Sequence, residues 1–242
     1  MLIAIILAGG YAKRMGQLAA ELPKSLLPIA GRPAIDHILD RLDEIAPEKI
    51  LLTTNVKFKP AFESWLASKH LTNIELVVEQ SRSEKEKLGA VGALAQLAPK
   101  LEPGDYLVIC GDNIFTSSLT GMLEYYRQKR KPVVALYHQK SLQEVRLGAA
   151  VTLESDNKIT NFEEKPKKPA TTIVGACVYI LPYGSLLRTG EYLDGGGNRD
   201  EPGNFIAWLC RREEVYGYML ASYVWDIGTL KGYEELQKEF GT

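Results

Sequence analysis

Residues 2–16 read Leu-Ile-Ala-Ile-Ile-Leu-Ala-Gly-Gly-Tyr-Ala-Lys-Arg-Met-Gly. The first half, Leu2 to Leu7, is continuously apolar and rich in isoleucine, the pattern of a central parallel strand covered on both faces. Gly9 and Gly10 follow; glycine lets the chain turn sharply and bring bare backbone N–H groups close to an anion. Lys13 and Arg14 add positive charge to the turn, and further on Pro23-Lys24-Ser25 sets Lys24 behind a rigid proline, ahead of another apolar stretch. Strand, glycine turn and cations together describe a phosphate-binding loop at the end of a buried strand. The glycines fit neither the G-x-G-x-x-G spacing nor a loop closing on G-K-[ST], which disfavours a dinucleotide fold and a P-loop.

Outward from this loop, strand-like and helix-like runs alternate. Strands are expected at Leu2–Leu7, Lys49–Thr54, Ile74–Val78, Tyr106–Cys110, Pro132–Tyr137, Ala149–Leu153, Ile173–Ile180 and Val215–Leu220, with helices at Pro33–Ile45, Lys59–Lys69, Val91–Leu97 and Leu119–Gln128. Such alternation predicts an α/β fold with a mixed, mostly parallel central sheet and helices on both faces. After Pro132 the spacing changes: Ala149–Leu153, Asp156-Asn157 and Lys158–Phe162 read as a hairpin, hence an antiparallel element on that sheet. Ser81–Lys87 and the glycine-rich Leu193–Gly203 read as loops, the second with a composition that fits a lid or binding loop and nearly as well a disordered surface loop.

The chain has 242 residues, 45% of them hydrophobic, and 29 Lys and Arg against 30 Asp and Glu. Near-neutrality argues against nucleic acid or an anionic membrane as partner, so any affinity for anions must be local. The opening apolar run is too short to span a membrane and has no basic leader, and a cytoplasmic protein is expected. Cys110, Cys177 and Cys210 are few, odd in number and far apart, which fits buried, reduced thiols. His37, His70 and His138 lack metal-ligand spacing.

Two carboxylates stand where chemistry is expected. Tyr106-Leu-Val-Ile-Cys-Gly-Asp112 puts an acid just beyond a buried strand, where the ligand crevice of an open α/β sheet opens, and a hard carboxylate there could hold Mg²⁺ against phosphate oxygens. Trp225-Asp226-Ile227-Gly228 offers a second. Each reads equally well alone as a turn or helix cap. Asn161-Phe-Glu-Glu-Lys-Pro166 adds Glu163, Glu164 and Lys165, which in isolation read as a solvated charged turn.

Taken in order, Ala8-Gly9-Gly10 through Arg14, Pro23-Lys24-Ser-Leu-Leu-Pro28, Gly111-Asp112-Asn113, Glu163-Glu164-Lys165-Pro166 and Trp225-Asp226-Ile227-Gly228-Thr229 resemble the motifs of the sugar-1-phosphate nucleotidylyltransferases, closest to the thymidylyl and uridylyl branch acting on glucose 1-phosphate. The resemblance spans nearly the whole chain. It implies a Rossmann-like nucleotidyltransferase fold and a Mg²⁺-dependent condensation of a nucleoside triphosphate, dTTP or UTP, with a sugar 1-phosphate, releasing pyrophosphate. Leu7, Ala8, Gly9, Gly10, Lys13 and Arg14 would cradle the triphosphate. Lys24 would contact the α-phosphate, Lys165 would hold the sugar phosphate, and Asp112 with Asp226 would carry the metal. Gln80 would read the base edge and Gly89 pack against the base, while Gly148, Glu164, Val174 and Gly175 would meet the sugar hydroxyls.

One domain over residues 1–242 is expected, with a nucleotide half through 115 and a sugar-phosphate half over 116–242; a homo-oligomer is compatible with it. The first loop departs from the family's Gly-Gly-x-Gly-Thr-Arg-Leu at Ala12, Lys13 and Met15, and the base segment carries the charged Ser83–Lys87. Guanylyl or cytidylyl specificity therefore stays open, as does a regulatory relative that binds sugar nucleotides without turnover. The β-helix of long relatives is missing from this sequence, so no second acetyltransferase activity is expected.

Overall fold

The computed structural model describes residues 1–11, 22–69 and 71–241; Ala12, Lys13, Arg14 and Met15 lie outside the described residues. β1 (Leu2–Leu7) is followed by a short hairpin of β2 (Pro28–Ile29) and β3 (Arg32–Pro33), then α1 (Ala34–Asp43), β4 (Lys49–Asn55), α2 (Lys59–Lys69), β5 (Ile74–Glu79) and α3 (Ala90–Leu97). The chain continues through β6 (Asp105–Cys110), β7 (Asn113–Phe115), α4 (Thr120–Lys129), β8 (Val133–His138), α5 (Leu142–Val145), β9 (Ala149–Leu153) and β10 (Ile159–Glu164). It closes with β11 (Ile173–Pro182), α6 (Tyr183–Asp194), α7 (Pro202–Leu209), β12 (Tyr216–Met219), β13 (Val224–Asp226) and α8 (Leu230–Phe240).

Among the described residues the main sheet has nine strands, in the order β10-β9-β11-β6-β1-β4-β5, with β8 and β12 joined beside β11. β1 pairs in parallel with β4 and β6, and β5 in parallel with β4. That central place accounts for the unbroken apolar run. Side chains alternate across a strand, so Ala4 and Ile6 face one core layer with Ile35, Ile38 and Phe62, while Ile3, Ile5 and Leu7 face the other with Val91, Leu94 and Phe205. β11 runs antiparallel to β6 and β8, and the β9–β10 pair is the hairpin expected at 149–162.

Two findings depart from the sequence expectations. α6 was not signalled by sequence, because Gly184 and Gly190 dilute its helical pattern, and α7 reads as a bare apolar run after Pro202, a residue suited to a helix's first turn. The expected loop at 193–203 narrows accordingly to residues 195–201. The cysteines are also not all reduced: Cys110 and Cys177 are joined by a disulfide, with a Cα–Cα distance of 5.4 Å. They lie 67 positions apart in sequence and meet because the β6–β11 ladder, in which Ile109 faces Val178, sets them opposite one another. Cys210 is a free thiol whose pKa burial pushes up to about 12. Among the described residues no helix is long and apolar enough to cross a membrane.

Candidate active site

The carboxyl ends of β1, β4, β5 and β6 open onto one cavity of about 430 Å³. Leu7 and Gly9, Thr53 and Thr54, Val77 and Glu79, and Cys110 and Asp112 line it in strand order. This is the crevice that open α/β sheets offer to ligands. The glycine turn after β1 is clamped from below: the fully buried Asn55 donates from Nδ2 to the Gly9 carbonyl at 3.0 Å, and Ala8 N–H donates to the Thr53 carbonyl at 3.0 Å.

On one wall, Lys24 is held in a single 3-10 turn, Lys24–Leu26, directly after Pro23. Its Nζ donates to Asp112 Oδ2 at 2.8 Å. Burial alone would push the Asp112 carboxyl up, but the charge and hydrogen bond of Lys24 outweigh it and hold the group below the usual carboxylate range. Asp112 is therefore an anion at neutral pH. Asp226 reaches the same cavity through a two-stranded ladder of β7 and β13, in which Asn113 faces Asp226 and Ile227 N–H donates to the Asp112 carbonyl at 3.0 Å. Asp226 Oδ1 in turn accepts from Gly228 N–H at 2.7 Å.

At the β5 end the acid, not the amide, faces inward. Glu79 lines the cavity beside Gly9, where its Cδ lies 3.8 Å from the position a Cβ on that glycine would take, and Ser81 Oγ donates to its Oε1. Gln80, expected to contact the base, is exposed and does not line the cavity. Successive side chains of a strand point to opposite faces, so a shift of one residue exchanges wall for solvent. Gly89 lines the cavity with φ 78°, a conformation glycine adopts freely, and a Cβ there would overlap the Arg199 carbonyl.

The opposite wall comes from β10 and the first turn of α7. Glu164 and Lys165 line the cavity together with Leu147, Asp200, Glu201 and Pro202. Lys165 sits at φ 49°, in the left-handed region, just before Pro166; its N–H donates to the Gly148 carbonyl at 2.8 Å and its Nζ pairs with Glu201 Oε1. Glu201 is itself fixed, its Oε2 accepting from Asn198 Nδ2 at 3.2 Å and Asn204 Nδ2 at 2.8 Å. Burial, reinforced by Glu201, raises the Glu164 pKa above the ordinary carboxylate value against the pull of Lys165. The two walls are tied across the mouth: Lys87 Nζ pairs with Asp200 Oδ1 at 3.1 Å, and the Arg199 carbonyl accepts from Val91 N–H at 2.9 Å.

Gly148, Val174 and Gly175 stand back from the cavity wall. Val174 is fully buried, its Cγ1 2.9 Å from where a Cβ on Gly148 would lie, and Gly175 is covered by the Phe162 ring. Their glycines are explained by close packing; none of the three lines the cavity, where Glu164, Lys165, Asp200 and Glu201 are the polar groups at that wall. Asp200 and Glu201 escaped sequence reading because they sit in a loop without a motif. Glu79 could have been found by extending the β5 alternation one residue.

A family model for nucleotidyl transferases matches residues 3–241. The chain belongs to the nucleotidyl transferase family. The resemblance carried by the ordered motifs holds accordingly. Among relatives, the family member from Mycobacterium tuberculosis named mannose-1-phosphate guanylyltransferase is 29% identical over 93% of this chain and 61% of its own. The D-glycero-alpha-D-manno-heptose 1-phosphate guanylyltransferase of Aneurinibacillus thermoaerophilus is 28% identical over 98% of this chain and 97% of its own. This chain thus spans 61% of the first relative's length and nearly all of the second's. Among solved structures, UDP-glucose pyrophosphorylase complexed with UDP-glucose matches with a TM-score of 0.85 at 19% identity, covering 100% of this chain and 98% of that one. The UTP-bound UGPase from Acinetobacter baumannii gives 0.80 at 17% identity, covering 100% and 93%. At such identities the likeness shows the fold, an α/β sheet flanked by helices.

Proposed function

We propose that this chain transfers a nucleotidyl group from a nucleoside triphosphate to a sugar 1-phosphate, releasing pyrophosphate, and that the preferred triphosphate is GTP. The observation carrying the reaction is the meeting of Lys24, Asp112, Lys165 and Asp226, drawn from four distant segments, around one cavity. A phosphate monoester is already anionic and needs no general base, so the work left to the protein is alignment and neutralisation of charge. A volume of about 430 Å³ falls within the range of small-molecule sites. The β1–β4–β5 side would take the nucleotide and the β10–α7 side the sugar phosphate, gripped by Lys165. Lys24 would face the α-phosphate, with Lys13 and Arg14 on the triphosphate as the family resemblance implies.

The donor set fits magnesium. Mg²⁺ binds through one or two carboxylates and otherwise through water and phosphate oxygens, and Asp112 and Asp226 are two hard carboxylates lining one cavity, Asp226 paired with Asn113 in the β7–β13 ladder and Asp112 directly preceding it, held ionised. No group of three or more His, Cys, Asp or Glu able to cage a metal occurs among the described residues, so substrate phosphate and water would complete the shell. Bound there, the ion would neutralise charge on the phosphate under attack.

The base assignment departs from the dTTP or UTP expectation and rests on Glu79. An ionised carboxylate only accepts hydrogen bonds. Guanine presents two adjacent N–H donors on its pairing edge, which a carboxylate can engage at once, whereas thymine and uracil set a carbonyl on each side of their single N–H. Two relatives carrying guanylyltransferase names favour the same choice. Pyrophosphate release measured for each common triphosphate against glucose, mannose and heptose 1-phosphates should be highest in the GTP arms. A maximum with dTTP or UTP would overturn the base assignment, and a grid with no active pair would favour the non-catalytic regulatory reading.

The same reading gives Gly203 a visible consequence. A Cβ there would overlap Glu164 Oε2 and press to 3.3 Å from Phe162 Cε1. Gly203→Ala should raise the KM for sugar 1-phosphate roughly tenfold, the equivalent of one charge-assisted hydrogen bond, and leave the KM for triphosphate nearly unchanged. In a Glu164→Ala background the added methyl should cost little more. Additive losses in the double variant would mean that Gly203 acts on something other than Glu164.

A further inference from the structure

We infer that the Ser25 hydroxyl is a ligand for a phosphate oxygen of the bound nucleotide, an inference that rests on the reaction proposed above. Ser25 is the middle residue of the turn that presents Lys24, and it is only 2% exposed. Its Oγ finds no hydrogen-bond partner in the protein among the described residues. Buried polar atoms are normally paired, so one that is not calls for an explanation. Packing supplies none: alanine would fill the same space without an orphaned oxygen.

The surroundings supply one. Ser25 borders a recess of about 30 Å³, with Gly10 and Gly111 on its glycine side and Lys24 and Asp112 beside them. That exceeds the roughly 10–15 Å³ that a single water needs, so one oxygen can be seated there. Leu7, Gly10, Lys24 and Asp112 also line the main cavity, so the recess is a side pocket of it. An oxygen seated there would meet the Lys24 ammonium, and the Ser25 hydroxyl, free to rotate, would donate to it. Thr54 repeats the pattern on the β4 side: it is 1% exposed, its Oγ1 has no partner among the described residues, and it lines the main cavity. Orphaned hydroxyls therefore gather where an oxygen-rich ligand is proposed to bind.

Ser25→Ala separates a ligand-binding hydroxyl from a structural one, because the two roles move stability and binding in opposite ways. The full chain would be melted without ligand, then titrated with pyrophosphate in the presence of Mg²⁺ by calorimetry. The expected result is a melting temperature equal to or above that of the wild type, with pyrophosphate bound roughly tenfold more weakly, the loss of one hydrogen bond to a charged group. The KM for sugar 1-phosphate should stay within about twofold, a shift too small to mark a lost hydrogen bond. A lower melting temperature with undiminished pyrophosphate affinity would make the hydroxyl structural and overturn the inference, as would equal affinity at equal stability. If the wild-type protein neither binds pyrophosphate nor turns over any substrate pair, the transferase reading falls and takes this inference with it. An active wild type beside an unaffected variant removes Ser25 alone.

Discussion

Asp112→Asn is expected to lower nucleotidyl transfer by roughly 10²–10³-fold or more, the scale seen when a single preorganised electrostatic group is removed from a reacting centre. The carboxylate stands at the end of β6, lines the cavity, and is held ionised by Lys24 at 2.8 Å. Asparagine keeps its shape but removes a metal ligand and the negative charge that fixes the lysine. Folding should survive: the side chains of Lys24 and Asp112 are 15% and 27% exposed, so solvent screens the pair and the cost falls well short of the roughly 3–5 kcal/mol of a fully buried one. A group whose pKa is lowered on folding adds stability above its unfolded pKa and loses it as pH falls through the folded value. The variant should therefore lose stability near neutral pH and show a flatter acid limb below about pH 4. Pyrophosphate release together with thermal melts across pH would test this. Turnover within tenfold of the wild type would remove Asp112 from the metal and phosphate machinery.

Much of this architecture can be read from local pattern because local pattern reports burial. The Leu2–Leu7 run is unbroken because β1 lies between β4 and β6 with helices on both faces, and the 149–162 hairpin announces itself through Asp156-Asn157, with Asn157 at φ 67°. What local pattern could not carry is pairing between distant segments. β7 and β13 are three residues each, far apart in the chain, and too short for any period, yet their ladder brings Asp226 to Asp112. Cys110 and Cys177 look like isolated buried thiols until the register of β6 and β11 is known. Asp200 and Glu201 belong to a stretch whose glycines signal only a loop, and their place at the cavity wall depends on α7 packing against β10. Gln80 shows a third kind of limit: the family resemblance points to this strand end, but which neighbour lines the cavity, Glu79 and not Gln80, depends on how β5 is turned against it.

That alternation carries the second large effect. Glu79→Gln should cut kcat/KM for GTP by roughly 10–100-fold, the 1–3 kcal/mol typical of a bidentate contact that discriminates one base from another. The amide replaces one acceptor by a donor, so it can serve one guanine N–H but opposes the other, while it offers a donor and an acceptor to thymine or uracil. Activity with dTTP or UTP should consequently rise relative to GTP, and the preference should narrow or invert. The amide oxygen can still accept from Ser81 Oγ, so the end of β5 should keep its conformation and the melting temperature should hold. Gln80→Ala is the matched control: the side chain is exposed and off the cavity, and its loss should leave the triphosphate profile as it was. If the profile instead follows position 80 and ignores position 79, then the face of β5 that meets the base has been assigned the wrong way round, and with it the case for guanine.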